Sequence, residues 1–369
     1  WNFTWRELQN LDSLKTKNET IMGRLDWRGA WLKNHIKSSL TFTTNTSREA
    51  QREFVFLEVN SGQGTHTWRD DNEDGVQDLG EFYIAINPDE RNYAKIFIPN
   101  GNFIDAFSND FIYQLTINTP RKWLKIKGLR NILGRLSTVS SWRITKKITD
   151  DDFVQRFIPF TNSIAQSELL ARREVLRSSL FFNRGNPKFG SELLYFSSKQ
   201  KSLLSNGFES KNNQNLEIKS RLNLTKQFNL KLNLRQANIF NASDFLENRN
   251  YDITTYQVNP QLAWQANRDL RLVFGYALKQ KTNENPLAQN EEAKINTWTV
   301  DFRYSSLSKR NIQAQFRVLN IDFNSQINTA TAYQMLEALQ VGRNYTWNLN
   351  VQQRLNKGLQ LTFTYTGRK

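Results

Sequence analysis

Apolar and polar residues alternate with a period of two through the second half of the chain. From about residue 214, Leu216, Ile218, Leu222 and Leu224 fall on one face, with Glu217, Lys219, Arg221 and Asn223 on the other. After Thr225-Lys226-Gln227 the pattern resumes as Phe228, Leu230, Leu232 and Leu234 against Asn229, Lys231, Asn233 and Arg235. Successive strand side chains point to opposite faces, so the two runs predict a hairpin with one greasy and one polar side. The unit recurs with Tyr256, Val258, Leu262 and Trp264 turning through Asn267-Arg268 into Leu270, Leu272, Phe274, Tyr276 and Leu278. It recurs again with Trp298, Val300, Phe302 and Tyr304, turning near Ser308-Lys309 into Ile312, Ala314, Phe316 and Val318. A fourth unit joins Tyr345, Trp347, Leu349 and Val351 through Asn356-Lys357-Gly358 to Leu359, Leu361, Phe363 and Tyr365.

Longer polar connections separate these hairpins, at Asn241 to Asp252, Thr282 to Lys294 and Asn324 to Arg343. Short turns alternating with long loops are the signature of a transmembrane β-barrel, whose strands need about nine to eleven residues to cross the bilayer. Trp264, Trp298 and Trp347 suit its aromatic girdles. A soluble antiparallel sandwich also alternates, but its strands run to about five or six residues. Here the alternation can be followed for 10 to 13 residues, which favours the barrel.

The first half is less regular. Strands are expected at Ile36 to Thr46, Glu53 to Val59, Phe82 to Ile86, Ala94 to Ile98, Phe111 to Ile117, Trp142 to Lys146, Glu174 to Phe182 and Phe189 to Phe196. A Pro99-Asn100-Gly101 turn and an acidic Asp150-Asp151-Asp152 cluster interrupt them. This divides the chain into 1–170, a β-rich surface appendage, plug or set of first strands, and 171–369, the regular barrel strands.

The 369 residues carry 50 Lys and Arg against 35 Asp and Glu, a formal charge of +15, and no cysteine. Disulfides and thiolate metal sites are therefore absent. No run of 18 apolar residues occurs, which excludes a helical span but not a barrel, whose alternating strands average out as polar. The chain opens at Trp1 without a signal-like segment, as expected of a mature or partial product. The cations Lys219, Arg221, Lys231, Arg235, Arg271, Lys279, Arg303 and Arg317 lie on polar strand faces. That distribution suits a wet, anion-favouring lumen better than a nucleic-acid surface, which concentrates its charge in one stripe or helix.

One segment has metal-ligand spacing. Asp70, Asn72, Asp74, Val76, Asp78 and Glu81 occupy positions 1, 3, 5, 7, 9 and 12 of a loop with Gly75 at position 6. Ca²⁺ takes six to eight oxygens, and this spacing supplies short carboxylates and an amide, the Val76 carbonyl and a bidentate Glu81. Strand-like sequence flanks the loop, so the reading is a structural calcium staple in a β-hairpin, not a helix-switching EF-hand. A solvated acidic turn is the competing reading.

Catalytic chemistry has little to work with. His35 and His66 are the only histidines, no nucleophile–base pair is evident, and Asp151 with Asp152 reads as a solvated turn. His66 is expected to be solvent-exposed.

Several stretches carry a resemblance: Trp68 to Gly75 with Asp78 to Phe82, Phe181-Phe182-Asn183-Arg184-Gly185-Asn186-Pro187, Leu339 to Trp347, and Leu359-Gln360-Leu361 with Tyr365-Thr366-Gly367-Arg368. In them the chain resembles the large, mostly uncharacterised outer-membrane β-barrel proteins of Bacteroidota-type bacteria. The resemblance implies an all-β antiparallel transmembrane barrel, or its C-terminal part, in the outer membrane, with long external loops and the calcium hairpin. Partners would be outer-membrane lipid and other outer-membrane or periplasmic proteins. Such proteins end in a strand with a terminal aromatic, so a further strand is expected after Lys369. The implied role is a non-enzymatic subunit of an export, assembly or surface-display complex. A passive porin or uptake channel with a cationic lumen and a calcium-stabilised surface adhesin are the alternatives.

Overall fold

The computed structural model describes residues 2–9, 17–149, 152–160, 168–204, 207–244, 246, 249–286, 288, 290–306, 310–355 and 358–369. The expected Ser308-Lys309 turn, Asn356 and Lys357 of the last turn, and Asp150 and Asp151 of the acidic cluster lie outside them.

Among the described residues seventeen strands belong to one sheet. They are β1 (Asn2–Gln9), β2 (Lys17–Trp31), β3 (Ile36–Glu58), β4 (His66–Trp68), β5 (Phe82–Ile84), β6 (Tyr93–Asn118), β7 (Leu136–Ile148), β8 (Leu169–Phe182), β9 (Phe189–Leu204), β10 (Gly207–Asn223) and β11 (Phe228–Ser243). The remainder are β12 (Tyr251–Gln265), β13 (Leu270–Asn283), β14 (Glu292–Ser306), β15 (Arg310–Phe323), β16 (Gly342–Arg354) and β17 (Gln360–Arg368). Three one-turn helices, α1 (Leu129–Leu133), α2 (Phe153–Phe157) and α3 (Ala330–Met335), sit in connections. Among the described residues no helix is long and apolar enough to cross a membrane, which says nothing of strands.

The chain forms two compact units that do not follow chain order. One comprises 1–180, 195–214 and 239–250, the other 181–194, 215–238 and 251–369. The first half also supplies full-length strands: β2, β3, β6 and β7 pair antiparallel in that succession.

In the first unit β3 runs 23 residues and β6 runs 26, each merging two of the expected strands. They stay paired from Ile36↔Ile117 to Glu58↔Tyr93, with a register shift between Ala50 and Arg52. The expected Pro99-Asn100-Gly101 turn is thus strand. Pro99 pairs with Arg52, at the irregularity where a missing N–H is tolerated. Helix α2 lies against β6 and β7. The fully buried Lys146 ammonium donates to the carbonyls of Gln155 at 2.6 Å and Ile158 at 2.7 Å. Asn109 donates to Arg156 O at 2.5 Å. Asp152 caps the helix, its Oδ1 accepting from the Val154 amide at 2.8 Å.

In the second unit β12 to β17 form an unbroken antiparallel succession. Short turns of this unit, between β10 and β11 and between β12 and β13, are built by side chains. Thr225 Oγ1 accepts from the amides of Gln227 and Phe228, and Asn267 Oδ1 from those of Asp269 and Leu270. Such local bonds give the chain a partner where the ladder ends.

Candidate functional site

The two faces of the second unit's strands decide what this wall can do. The expected apolar face is the exposed one: Phe274 is 50%, Trp298 64% and Phe363 53% accessible, and Val258, Val300, Phe316 and Leu361 are exposed beside them. Aromatics meet across this face at Tyr276 and Trp298, with ring centroids 4.7 Å apart, and at Phe316 and Tyr345, 6.2 Å apart. A face this apolar, repeated on adjacent strands of 13 to 15 residues, fits hydrocarbon and not water.

The opposite face lines a recess of about 660 Å³. Lys231, Arg271 and Arg303 contribute its cations, Asp301 its carboxylate, and Gln261, Gln315, Asn348 and Asn350 its amides. Gln315 donates to Asp301 at 2.6 Å, and the three cations outnumber that one carboxylate, so the recess is net positive. Lys219 and Arg221 line a second recess of about 410 Å³ together with Lys231. Arg221 also donates to Asn186 O at 2.9 Å, closing the β8–β9 turn, and Arg235 donates to Asn215 at 2.8 Å. Six of the eight cations read from the sequence are therefore placed in recesses or polar contacts; Arg317 is exposed, and the remaining one is Lys279.

Lys279 belongs to a cluster the sequence did not show. Beyond the polar recess, toward the long-loop end, the same inward face becomes apolar: Ile295, Leu319 and Ile321 are buried against Ala332 and Leu336. Ile253, Ala293 and Met335 make a neighbouring cluster. The β15–β16 connection thus folds onto the inner wall through α3. Thr329 caps α3 from its hydroxyl, which accepts from the Ala332 amide at 3.0 Å. At its C-terminal end Glu337 accepts from Lys279 at 2.7 Å and Lys281 at 3.0 Å. Burial pushes the Glu337 carboxyl up, but the charges and hydrogen bonds of Lys281 and Lys279 outweigh it and hold the group at about 2. Glu337 and Ala338 both have left-handed backbone, φ 57° and 56°. Two adjacent residues of that kind need strong fixing by their surroundings.

The calcium-type loop lies between β4 and β5, which pair through His66↔Ile84 and Trp68↔Phe82 as a hairpin. Asp70 Oδ1 accepts from the Asp74 amide at 3.1 Å and Oδ2 from the Gly75 amide at 2.8 Å. Asn72 Oδ1 accepts from Asp74 N at 3.0 Å, and Asp74 Oδ1 from Val76 N at 2.7 Å. Gly75 takes φ +74° at the sharpest point. Glu81, expected as the bidentate ligand, is buried and accepts from the Trp68 indole at 2.8 Å and the Asp71 amide at 3.2 Å. The Asp78 amide also reaches it, at 3.4 Å. Asp70, Asn72 and Asp74 share one tight turn with the Val76 amide, Asp78 stands as N-cap of the Leu79–Glu81 3-10 turn, and Glu81 is held by other partners. Among the described residues no group of three or more His, Cys, Asp or Glu is drawn together around a common point.

The hairpin docks on β6 by close backbone approach. The Gly64 amide donates to Arg91 O and the Thr65 amide to Tyr93 O, each at 2.8 Å, and a Cβ at Gly64 would stand 2.5 Å from Tyr93 O. His66, expected in solvent, is buried, edge-on to Phe56 at 4.9 Å, with Nδ1 2.8 Å from Thr65 Oγ1. The reason is tertiary: Phe56 and Phe82 stack at 4.2 Å and Tyr93 closes on Phe82, making an aromatic core that takes in the imidazole. Burial foremost, then the charges of Lys95, Lys211 and Arg249, lowers its pKa to about 4. His35 makes a turn contact, Nδ1 2.9 Å from Asn118 O.

An all-β antiparallel sheet with an exposed apolar face and a polar, cationic inner face has the architecture of outer-membrane β-barrels. No protein-family model matches the chain, and no curated protein matches it. Among solved structures it is similar to the ferric-catecholate import receptor Fiu of E. coli K12, at TM-score 0.42 and 10% identity in the open form and 0.41 and 11% in the closed form. It is also similar to the FrpB iron transporter of Neisseria meningitidis (F3-3 variant), at TM-score 0.37 and 10% identity. The alignments cover 99%, 99% and 96% of this chain and 59% of each of those chains, so the chain spans about three fifths of their length.

Proposed function

We propose that this chain forms barrel wall in the bacterial outer membrane and serves, without catalysing a reaction, as a subunit of an export, assembly or surface-display complex. One observation carries the reading beyond a simple pore. Strands β3 and β6, at 23 and 26 residues, are far longer than the nine to eleven that cross a bilayer, and remain paired to Glu58↔Tyr93. Their far ends make a ribbon bearing the docked β4–β5 hairpin, with Leu57, Ile96 and Phe97 exposed on it. A passive channel has no use for such a platform, whereas a partner protein can be seated there. Isolation of the assembly from membranes in mild detergent tests this. Stoichiometric companions are expected; a lone barrel that conducts ions in planar bilayers would replace the complex with a cationic porin.

Calcium at Asp70, Asn72, Asp74, Val76 and Asp78, with Glu81 completing the shell by leaving its Trp68 and Asp71 partners, is part of the same proposal. The ion would stiffen the hairpin, which joins two strands and has no helices to reorient.

A further inference from the structure

The connection between β6 and β7 is unlike the short β2–β3 turn at its end of the first unit. Ile36 pairs with Ile117 and Trp31 with Ile36, so residues 119–135 leave the wall at the level of the short 32–35 turn between β2 and β3. Short turns mark the periplasmic side of an outer-membrane barrel. Between Thr119 and Arg135 stand Arg121, Lys122, Lys125, Lys127, Arg130 and Arg135, and no acidic residue. All six cations are exposed.

The segment is nevertheless a built structure. Thr119 Oγ1 donates to Gly134 O at 3.0 Å or Leu136 O at 2.7 Å, closing its neck. Asn131 donates to Leu124 O at 2.5 Å and accepts from Arg135 Nε at 3.0 Å, tying α1 to the preceding 3-10 turn (Arg121–Lys125). On α1, Leu129, Ile132 and Leu133 fall at i, i+3 and i+4, one face of a helical turn, and are 78%, 53% and 46% accessible. An ordered basic clasp that holds three branched aliphatic side chains in water is unfavourable unless something apolar and anionic covers it.

A second observation fixes the level. Trp27 and Trp31 on β2 stand with ring centroids 5.3 Å apart and are 41% and 45% accessible, beside the exposed Leu32. Paired exposed indoles at a strand end mark the boundary between hydrocarbon and headgroups. The clasp leaves the wall within a few residues of that boundary.

We infer that residues 119–135 form an interfacial anchor that lays Leu129, Ile132 and Leu133 into the adjoining leaflet and binds anionic phospholipid headgroups through Lys122, Lys125, Lys127 and Arg130. Charge complementarity selects the occupant: six cations without a carboxylate match a negatively charged membrane surface, and the aliphatic face matches its acyl chains. The inference rests on the barrel reading above.

The test uses the protein reconstituted in phosphatidylcholine vesicles with or without phosphatidylglycerol. A thiol-reactive fluorophore is placed at Leu129→Cys or, separately, at Val300→Cys on the exposed apolar face of β14; this chain has no cysteine to compete. Spin-labelled lipids report depth by quenching. Residue 300 is expected to be quenched by a mid-chain label in both vesicles. Residue 129 is expected to be quenched by a headgroup label several-fold more with phosphatidylglycerol, and that gain is expected to vanish when Lys122, Lys125, Lys127 and Arg130 are all changed to Gln. Quenching at 300 in that variant confirms that the barrel still inserts. An unquenched 129 beside a quenched 300, quenching at 129 indifferent to lipid charge, or shielding of 129 only by added periplasmic protein overturns the anchor and leaves the barrel. An unquenched 300 overturns the barrel and the anchor together.

Discussion

Lys281 on β13 and Glu337 in the β15–β16 connection meet at 3.0 Å, with Lys279 on the same carboxylate oxygen at 2.7 Å. One acid thus bridges two lysines of the inner wall, leaving the cluster net positive, and bolts the loop carrying α3 against it. In Glu337→Gln the lysines lose their counter-charge, and docking of residues 324–341 should weaken by about 2–3 kcal/mol. That is at or below the range for fully buried pairs, because 28% of the Glu337 side chain remains accessible. Limited proteolysis should cut the variant in this loop first, with the strands intact.

The same contact sets a pH dependence. The folded carboxyl lies at about 2, below its ordinary 4.5. Its contribution is therefore complete above 4.5, declines as pH falls below that value, and is gone once pH passes through about 2. Hydrogen exchange across 330–338 should show protection falling in that window, and Glu337→Gln should show no such step.

His66 predicts a second acid transition in a different place. Its folded pKa, about 4, is below the ordinary 6.5, so the hairpin keeps its full stability above 6.5 and loses it between 6.5 and 4 as the unfolded form takes up the proton first. Lys95 from β6, Lys211 and Glu209 from β10, and Arg249 face the ring, the three cations opposing protonation and Glu209 favouring it. His66→Leu should abolish this loss. Exchange protection of the β4–β5 amides between pH 7 and 4 measures it, and an identical fall in the variant would assign the transition to other groups.

Calcium binding is separable from hairpin folding. At about a hundredfold excess over its Kd, the ion should stabilise the hairpin by about 2.7 kcal/mol. Asp74→Ala should remove that gain. Glu81→Ala should weaken the hairpin even in chelator, because Glu81 also holds the Trp68 indole and the Asp71 amide. Titration calorimetry with both variants decides; no heat with the unaltered protein would leave the acidic loop a self-bonded turn.

The docking of the hairpin hinges on Gly64. A methyl group there would stand 2.5 Å from Tyr93 O and 2.7 Å from Tyr93 N, both backbone atoms that cannot swing aside. Gly64→Ala should detach the hairpin from β6 at a cost of about 2 kcal/mol or more, within the range for overpacked sites. Increased solvent quenching of Trp68 would report it.

The period-two pattern determined by itself which side chains share a face, where the hairpins at Thr225 and Asn267 turn and that one face carries Lys, Arg, Asn and Gln. Those are local consequences of strand geometry, and Val300 exposed beside Arg303 in the recess repeats the alternation directly. The loop of Asp70 to Glu81 was legible as a turn because Asp, Asn and Gly bond their own backbone. Only the tertiary structure decided that Pro99 lies within a strand, since its pairing with Arg52 outweighs local turn preference. Burial of His66 depended on Phe56, Phe82 and Tyr93 converging from three strands. Glu337 carried no signal at all: its meaning comes from two lysines on a strand distant in sequence, and long-range pairing between loop and wall leaves no periodic trace in the chain.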